Sequence, residues 1–244
     1  MKDPTLPANF GGGTATAVAV ARYKDQDWRQ LLNQIAELHT IPTPLYRDVM
    51  DRTLALIALV VTAPIMLLIA LIIRLDSPGP ALFRQKRIGQ GGKLFDFVKF
   101  RTYYRDAKQR FPELYDYRIQ PEALHSYRFK VPNDPRATRV GQWLRQSTLD
   151  ELPNFWNVLT GKMALVGPRP EIPEFLPNYS YSELRIFTIR PGVTGFAQIS
   201  GRGWLTFPET KKWDMAHLEN RGLMSDLRVL FATVARVIFR HGAF

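Results

Sequence analysis

The sequence predicts an α+β protein, mainly helical with a small β-hairpin sheet, that sits on a membrane from one side as a monotopic protein. Three observations point there. Residues 54–73 (LALIALVVTAPIMLLIALII) carry no charge, and Pro64 falls near their middle. Basic residues flank them on both sides, Arg47 and Arg52 before, Arg74, Arg84, Lys86 and Arg87 after. Two short apolar or aromatic runs, 81–84 and 94–100, enclose Gly89-Gln90-Gly91-Gly92.

Taken in order, residues 1–13 read as a loose tail. A short helix is predicted over 27–39, because Trp28, Leu31, Leu32, Ile35 and Leu38 recur at helical spacing. Pro42 and Pro44 end it. The apolar segment that follows is long enough to cross a bilayer. Pro64 removes a backbone hydrogen bond there and favours a break. A span normally carries its basic excess on one side only, so basic residues at both ends favour a helix that enters and leaves by the same face. A plain span and a buried core helix are the alternatives. The runs around the glycines predict a hairpin with a glycine turn. A phosphate-cradling loop is the competing reading, but no Gly-Lys-Ser or Gly-Lys-Thr closes it. The final helix, 223–239, is amphipathic, with Leu223, Leu227, Leu230, Phe231, Val234 and Ile238 in period and Arg228, Arg236 and Arg240 in the same segment. It suits a membrane interface or the domain core equally.

Composition narrows the chemistry. The 244 residues carry a formal net charge of +11, which suits nucleic acid, anionic lipid or phosphorylated substrates. With no cysteine, disulfides, thiolate metal sites and cysteine nucleophiles are excluded. The four histidines are too widely spaced for a local metal motif.

Adjacent carboxylates are often merely solvated, but Asp150 and Glu151 stand in a suggestive setting. An apolar, aromatic run follows them at 152–159, and then Val166-Gly167-Pro168-Arg169-Pro170. Prolines on both sides restrict the backbone of Arg169 and help aim a guanidinium, the group best suited to bidentate phosphate binding. Lys99 and Arg101 share a face if 98–102 is a strand. Arg190 opens a second turn-like motif, Arg190-Pro191-Gly192-Val193-Thr194-Gly195. Several cations near a carboxylate pair make a sensible phosphoryl-transfer site, in which a carboxylate attacks phosphorus or helps hold a divalent metal.

Eight landmarks in order carry a resemblance. They are the Pro-broken apolar segment; Ser77-Pro78-Gly79-Pro80 with the run from Phe83 to Gly89; Lys99-Phe100-Arg101-Thr102; the run from Asn133-Asp134-Pro135-Arg136 to Gly141; Leu144-Arg145 through Asp150-Glu151-Leu152-Pro153; Asn157-Val158-Leu159; Gly167-Pro168-Arg169-Pro170; and the run from Arg190 to Gly195. From about Tyr46 to Phe239 the chain resembles the bacterial sugar transferases, or monotopic phosphoglycosyl transferases. These include undecaprenyl-phosphate glucose, galactose and N-acetylhexosamine phosphotransferases. In length it is similar to the small, catalytic-core members.

The resemblance implies a re-entrant helix in the inner leaflet of the bacterial cytoplasmic membrane, with Pro64 as its break. It divides the chain into an N-terminal extension (1–45), a re-entrant helix (46–75) and a cytoplasmic catalytic domain (76–244). It implies that Asp150 attacks the β-phosphate of a UDP-sugar, releases UMP, and hands the phosphosugar to polyprenyl phosphate. It implies a Mg2+ ion at Asp150 and Glu151, with Glu151 as a metal or acid–base partner. Arg145, Lys99 and Arg169 then bind substrate phosphates or organise the site, and membrane lipids and a second copy of the chain are further partners. The first membrane step of exopolysaccharide, capsule or O-antigen synthesis is the implied setting; the sugar is not readable. Two departures stand out. Ala63 precedes Pro64 where the family often has Ser, and Tyr103 replaces a common Met, which reads as a packing change. An inactive lipid- or complex-binding scaffold of the same fold is the alternative. Nucleic acid is not an expected partner, because it would not explain the ordered motifs around Asp150.

Overall fold

The computed structural model describes residues 27–117, 119–129, 131–201 and 204–239, so the tail read at 1–13 lies outside the described residues. Helix α1 (Trp28–Glu37) precedes the long helix α2 (Leu45–Asp76) and a hairpin of β1 (Leu82–Ile88) and β2 (Leu94–Phe100). Short helices α3 (Ala107–Arg110) and α4 (Pro121–Leu124) lead to α5 (Arg139–Ser147), a 3-10 turn (Leu149–Asn154) and α6 (Phe155–Leu159). Then come β3 (Ala164–Val166), β4 (Gly192–Thr194), α7 (Phe196–Ser200), α8 (Phe207–Glu219) and α9 (Leu223–Phe239). β1 and β2 pair antiparallel; β3 and β4 form a separate parallel pair.

α1 forms where its periodicity predicts. The Asp27 carboxylate accepts from the Arg29 amide at 3.1 Å and caps the first turn. Leu31 and Ile35, one turn apart, are fully buried against a cluster that includes Phe175, Tyr179 and Phe207. The glycines of the hairpin turn make room for this helix. Gly91 and Gly92 adopt φ of 65° and 75°, and a Cβ on Gly92 would sit 2.9 Å from the Leu32 carbonyl oxygen. β1 runs further than its apolar stretch, through Gln85 to Arg87. Cross-strand pairing carries it there, with Lys86 opposite Asp96 and their charges 2.9 Å apart.

α2 corrects one expectation. The helix does not lapse at Pro64 but runs as one element from Leu45 to Asp76. A proline removes one hydrogen bond, the one to the carbonyl four residues back, and the bonds around it carry the helix across. Its buried residues are Arg47, Asp51, Ala55, Ile69 and Ile73. These are spaced by about whole turns of 3.6 residues, so they form one stripe. The front of the stripe joins Phe97, Val158 and Met163; the rear joins Phe100 and Leu144. Both ends of the helix therefore rest on one body. Between them Leu56, Ile57, Val60, Val61, Ile65, Leu67 and Leu68 are exposed.

α9 packs on the domain core along one side and leaves apolar side chains exposed on another. Val229 is buried beside Ala55, while Phe231, Val234 and Val237 face outward. Its first turn is tied to α2 by a buried ion pair, Arg47 Nε to Asp226 at 2.9 Å.

α5 is capped by Thr138, whose hydroxyl accepts from Gly141 N at 2.9 Å. Gly141 lies against the chain leaving β2: a Cβ there would come 1.9 Å from the Thr102 carbonyl oxygen. Backbone cannot yield as a side chain does, so Gly141→Ala is expected to destabilise by about 3 kcal/mol or more. Gly222→Ala, with nothing within 4 Å of the new atom, should be near neutral. Thermal unfolding of both variants in detergent is the measurement, and equal melting temperatures would contradict the packing described.

Candidate active site

The carboxylate pair rides on the 3-10 turn that follows α5. Thr148 makes the bend between them in the left-handed region, at φ 60°. That conformation is uncommon for a β-branched residue and persists where its surroundings impose it. The imposing contacts are apolar. Leu149 and Leu152, on either side of the pair, pack on Phe100, Leu144, Ile69 and Ile73. Asp150 is left buried, with 6% of its surface exposed, and Glu151 is half-buried.

Three predicted cations meet this pair. β2 runs beside the turn and brings Lys99. The Gly167–Pro170 segment brings Arg169, whose Nη2 donates to Glu151 Oε1 at 2.7 Å. Arg145 acts on Asp150 from the last turn of α5. Arg87, two strand positions from the hairpin turn, adds a fourth cation that sequence reading left out. It bonds the Pro170 carbonyl at 3.0 Å and bears electrostatically on Glu151. Asn154 Nδ2 donates to the other Glu151 oxygen at 3.3 Å.

The aim of Arg169 is set by backbone. Gly167 N donates to the Thr194 carbonyl, and Gly192 N to the Pro168 carbonyl, both at 2.8 Å. A Cβ on Gly192 would lie 2.1 Å from Gly167 N. The Gly-Pro-Arg-Pro and Arg-Pro-Gly-Val-Thr-Gly motifs are thus two halves of one crossing, although they are far apart in sequence.

Two predicted substrate-binding residues are engaged elsewhere. Arg101 is buried and donates to the Ser77 and Pro78 carbonyls, at 2.7 and 2.5 Å, and to Ser77 Oγ at 3.0 Å. It closes the C-terminal end of α2. Lys99 and Arg101 do not share a face in the expected sense, because β2 ends at Phe100. Arg190 donates to Asp48, which also pairs with Arg52 at 2.9 Å, so it ties β4 to the start of α2.

Electrostatics separates the two carboxylates. Burial, and then the charge of Glu151, push the Asp150 carboxyl up to about 6 against the pull of Lys99, Arg169 and Arg145. Burial also works to raise Glu151, but Arg169 and Lys99, with Arg87, outweigh it and hold it below the usual range. Burial lowers the Lys99 ammonium despite both carboxylates beside it. Glu151 is therefore the settled anion of the pair, and Asp150 the carboxylate whose charge is poorly compensated.

A layer behind Arg145 was not legible beforehand. Asp134 accepts from Arg136 Nε and Nη2, both at 2.8 Å, and from the Tyr103 hydroxyl at 2.7 Å. Arg145 donates to the same Tyr103 oxygen. Tyr103 is thus a hydrogen-bonding hub, and the packing role expected from its departure from Met is too small. The only sequence signal was that departure, next to Lys99-Phe100-Arg101-Thr102.

Asp150 and Glu151 are the carboxylates that would hold a divalent cation. Two like charges share one turn, the poorly compensated one is buried, and Mg2+ typically takes one or two carboxylates and completes its shell with water and substrate phosphate. No group of three or more acidic or histidine ligands occurs among the described residues, so an ion here would depend on those phosphates.

Residues 43–240 match the family described as bacterial sugar transferase. Curated relatives include the galactosyl transferase CpsE of Streptococcus agalactiae, 36% identical over 195 residues, covering 80% of this chain and 42% of that protein. The exopolysaccharide production protein ExoY of Rhizobium meliloti is 35% identical over 196 residues, covering 80% of this chain and 86% of that one. An undecaprenyl-phosphate galactose phosphotransferase of Salmonella typhimurium is 34% identical over 194 residues, covering 80% and 40%. The chain thus spans less than half the length of several relatives and most of ExoY. With nearly all of its described part inside that match, the chain belongs to the bacterial sugar transferase family.

Proposed function

We propose that this protein transfers a sugar-1-phosphate from a UDP-sugar to a polyprenyl phosphate, with Asp150 as the covalent nucleophile. The observation that carries the reading is a buried, poorly compensated carboxylate among Lys99, Arg169 and Arg145. An Asp150 oxygen attacks the donor's β-phosphorus and forms an O–P bond. The bond from that phosphorus to the bridging oxygen breaks, and UMP leaves with the electron pair. A phosphate oxygen of the acceptor then attacks the same phosphorus and displaces Asp150, giving a polyprenyl diphosphosugar. Lys99 and Arg169 neutralise the donor phosphates, and Glu151 holds Arg169 in place. A Mg2+ ion held by Asp150 and Glu151 would stabilise the charge that develops on the phosphate oxygens.

The acceptor is a lipid, and α2 offers the means to reach it. Its middle presents a wide apolar surface with no partner among the described residues, of the kind that lipid covers. The buried stripe argues for entry and exit on one face. Ala55 and Ile69, both packed on the domain, lie about 21 Å apart along a helix at 1.5 Å per residue. A span across about 30 Å of hydrocarbon would pull the charged domain, with Arg47, Asp48 and Asp51, into the bilayer. On this reading the protein is monotopic in the bacterial cytoplasmic membrane and the domain faces the cytoplasm. One relative is named an exopolysaccharide production protein and another an undecaprenyl-phosphate galactose phosphotransferase, which supports the same setting here.

Asp150→Asn should reduce UMP release from a UDP-sugar by at least about a thousandfold, since the nucleophile itself is lost. Mass spectrometry of wild-type protein quenched with its donor should find the phosphosugar on Asp150. Turnover in the variant near the wild-type rate would end the covalent reading.

Asp150 must be ionised to attack. Its carboxyl is raised to about 6, so kcat/KM should fall as pH drops through about 6 and level off above it. A profile flat from pH 5 to 8, where the usual carboxylate value of about 4 would leave it flat, would contradict this.

The sequence has no cysteine, so single ones report cleanly. Tyr46→Cys and Lys86→Cys should both be shielded from a membrane-impermeant thiol reagent in intact cells and both react after lysis. Labelling of one alone in intact cells would establish a span.

A further inference from the structure

We propose that Tyr103 is a positioning residue that holds the Arg145 guanidinium near Asp150 without neutralising its charge. This rests on the reading of Asp150 as the nucleophile. The geometry is specific. The phenol oxygen donates to Asp134 at 2.7 Å and accepts from Arg145 and, at 3.3 Å, from Arg136, which uses its full capacity of one donor and two acceptor sites. Its ring face carries both guanidiniums, with carbons 4.7 Å (Arg136) and 5.0 Å (Arg145) from the centroid.

The two arginines differ in what balances them. Arg136 makes a two-pronged pair with Asp134 and also donates to the Leu114 carbonyl at 2.9 Å. The hydrogen bonds of Asp134 go to Arg136 and Tyr103, and Arg145 meets it only as an ion pair at 3.7 Å, so one carboxylate is shared by two guanidiniums and a net positive charge remains. The hydrogen-bond partner of Arg145 is the phenol, which is uncharged. Burial pushes that hydroxyl up to about 12, so it stays protonated through any working pH. A carboxylate in its place would orient Arg145 equally well but cancel its field. A neutral acceptor orients the cation and leaves its field to act on Asp150 and on an incoming phosphate.

A structural alternative exists, because Tyr103 also bridges to the backbone of Ala137. The two roles separate experimentally. Asp150 is faced by Glu151 on its own turn, Lys99 from β2, Arg169 from the segment after β3 and Arg145 from α5. Of these, only Arg145 depends on Tyr103. Tyr103→Phe keeps the ring, the stacking and the backbone bridge and removes only the hydroxyl.

The test is single-turnover UMP release by the full chain in nanodiscs, with melting temperatures measured alongside, for Tyr103→Phe, Arg145→Ala and the double variant. Tyr103→Phe should slow release about tenfold, the scale of one lost charge-assisted hydrogen bond. In the Arg145→Ala background the same substitution should leave the rate unchanged. An equal loss in both backgrounds, or a rate that merely tracks a lower melting temperature, would overturn the proposal. Asp150→Asn is assayed alongside. Full turnover there would strike the covalent reading instead, and the coupling between Tyr103 and Arg145 would still be judged from the cycle.

Discussion

The contact of Leu149 and Leu152 with Ile69 and Ile73 is the constraint on which the rest of the structure depends. It joins the apolar helix to the turn that carries the carboxylates. Leu144 and Phe100 complete the same cluster, so α5 and β2 are fixed by it too. Arg145 and Lys99 lie on those two elements. One patch of packed hydrocarbon therefore sets the positions of two carboxylates and two cations. Core contacts of this kind are stiff, because interiors are packed at crystal-like density and small displacements are resisted. A site built on them keeps its geometry while the other face of the same helix meets lipid.

Electrostatics then does what packing alone cannot. Two unit charges 4 Å apart interact by about 4 kcal/mol at an effective dielectric of about 20. Adjacent carboxylates in a half-buried turn would therefore oppose folding strongly without the cations. Lys99, Arg169, Arg145 and Arg87 surround them, and the local excess is positive. An excess of that sign draws in a diphosphate. It is also divided unevenly. Glu151 holds a direct partner in Arg169, whereas Asp150 is influenced by cations at a distance and keeps its basicity. The asymmetry distinguishes a nucleophile from an organising residue when both are carboxylates on one turn.

Much of this was legible in the sequence, and the reasons for the rest are physical. Helix α1 followed from Leu31 and Ile35 at one-turn spacing, and the hairpin from its glycines. Asp150, Glu151, Lys99 and Arg169 were named from motif chemistry and Arg145 from the family resemblance, and the structure brings them together. Arg101 and Arg190 were named on the same grounds but act as fasteners, at the end of α2 and on Asp48. A motif shows that an arginine has a task, but whether its partner is a phosphate or a carbonyl depends on the tertiary fold. Tyr103 was underread for the same reason, since its partners come from 31 and 42 residues away. The continuity of α2 through Pro64 was also out of reach, because one lost hydrogen bond competes with packing at both helix ends that sequence does not reveal.

The crossing of β3 and β4 has a wider consequence. Gly167 and Gly192 meet backbone to backbone, with no side chain between them to adjust. Elsewhere in a protein, a change at one position can be accommodated by a smaller or rotated neighbour. Here no such second-site remedy exists, because the neighbour has already given up its side chain. The reach of Arg169 is hence inherited as a single unit of peptide geometry, and the two short segments must evolve as one piece.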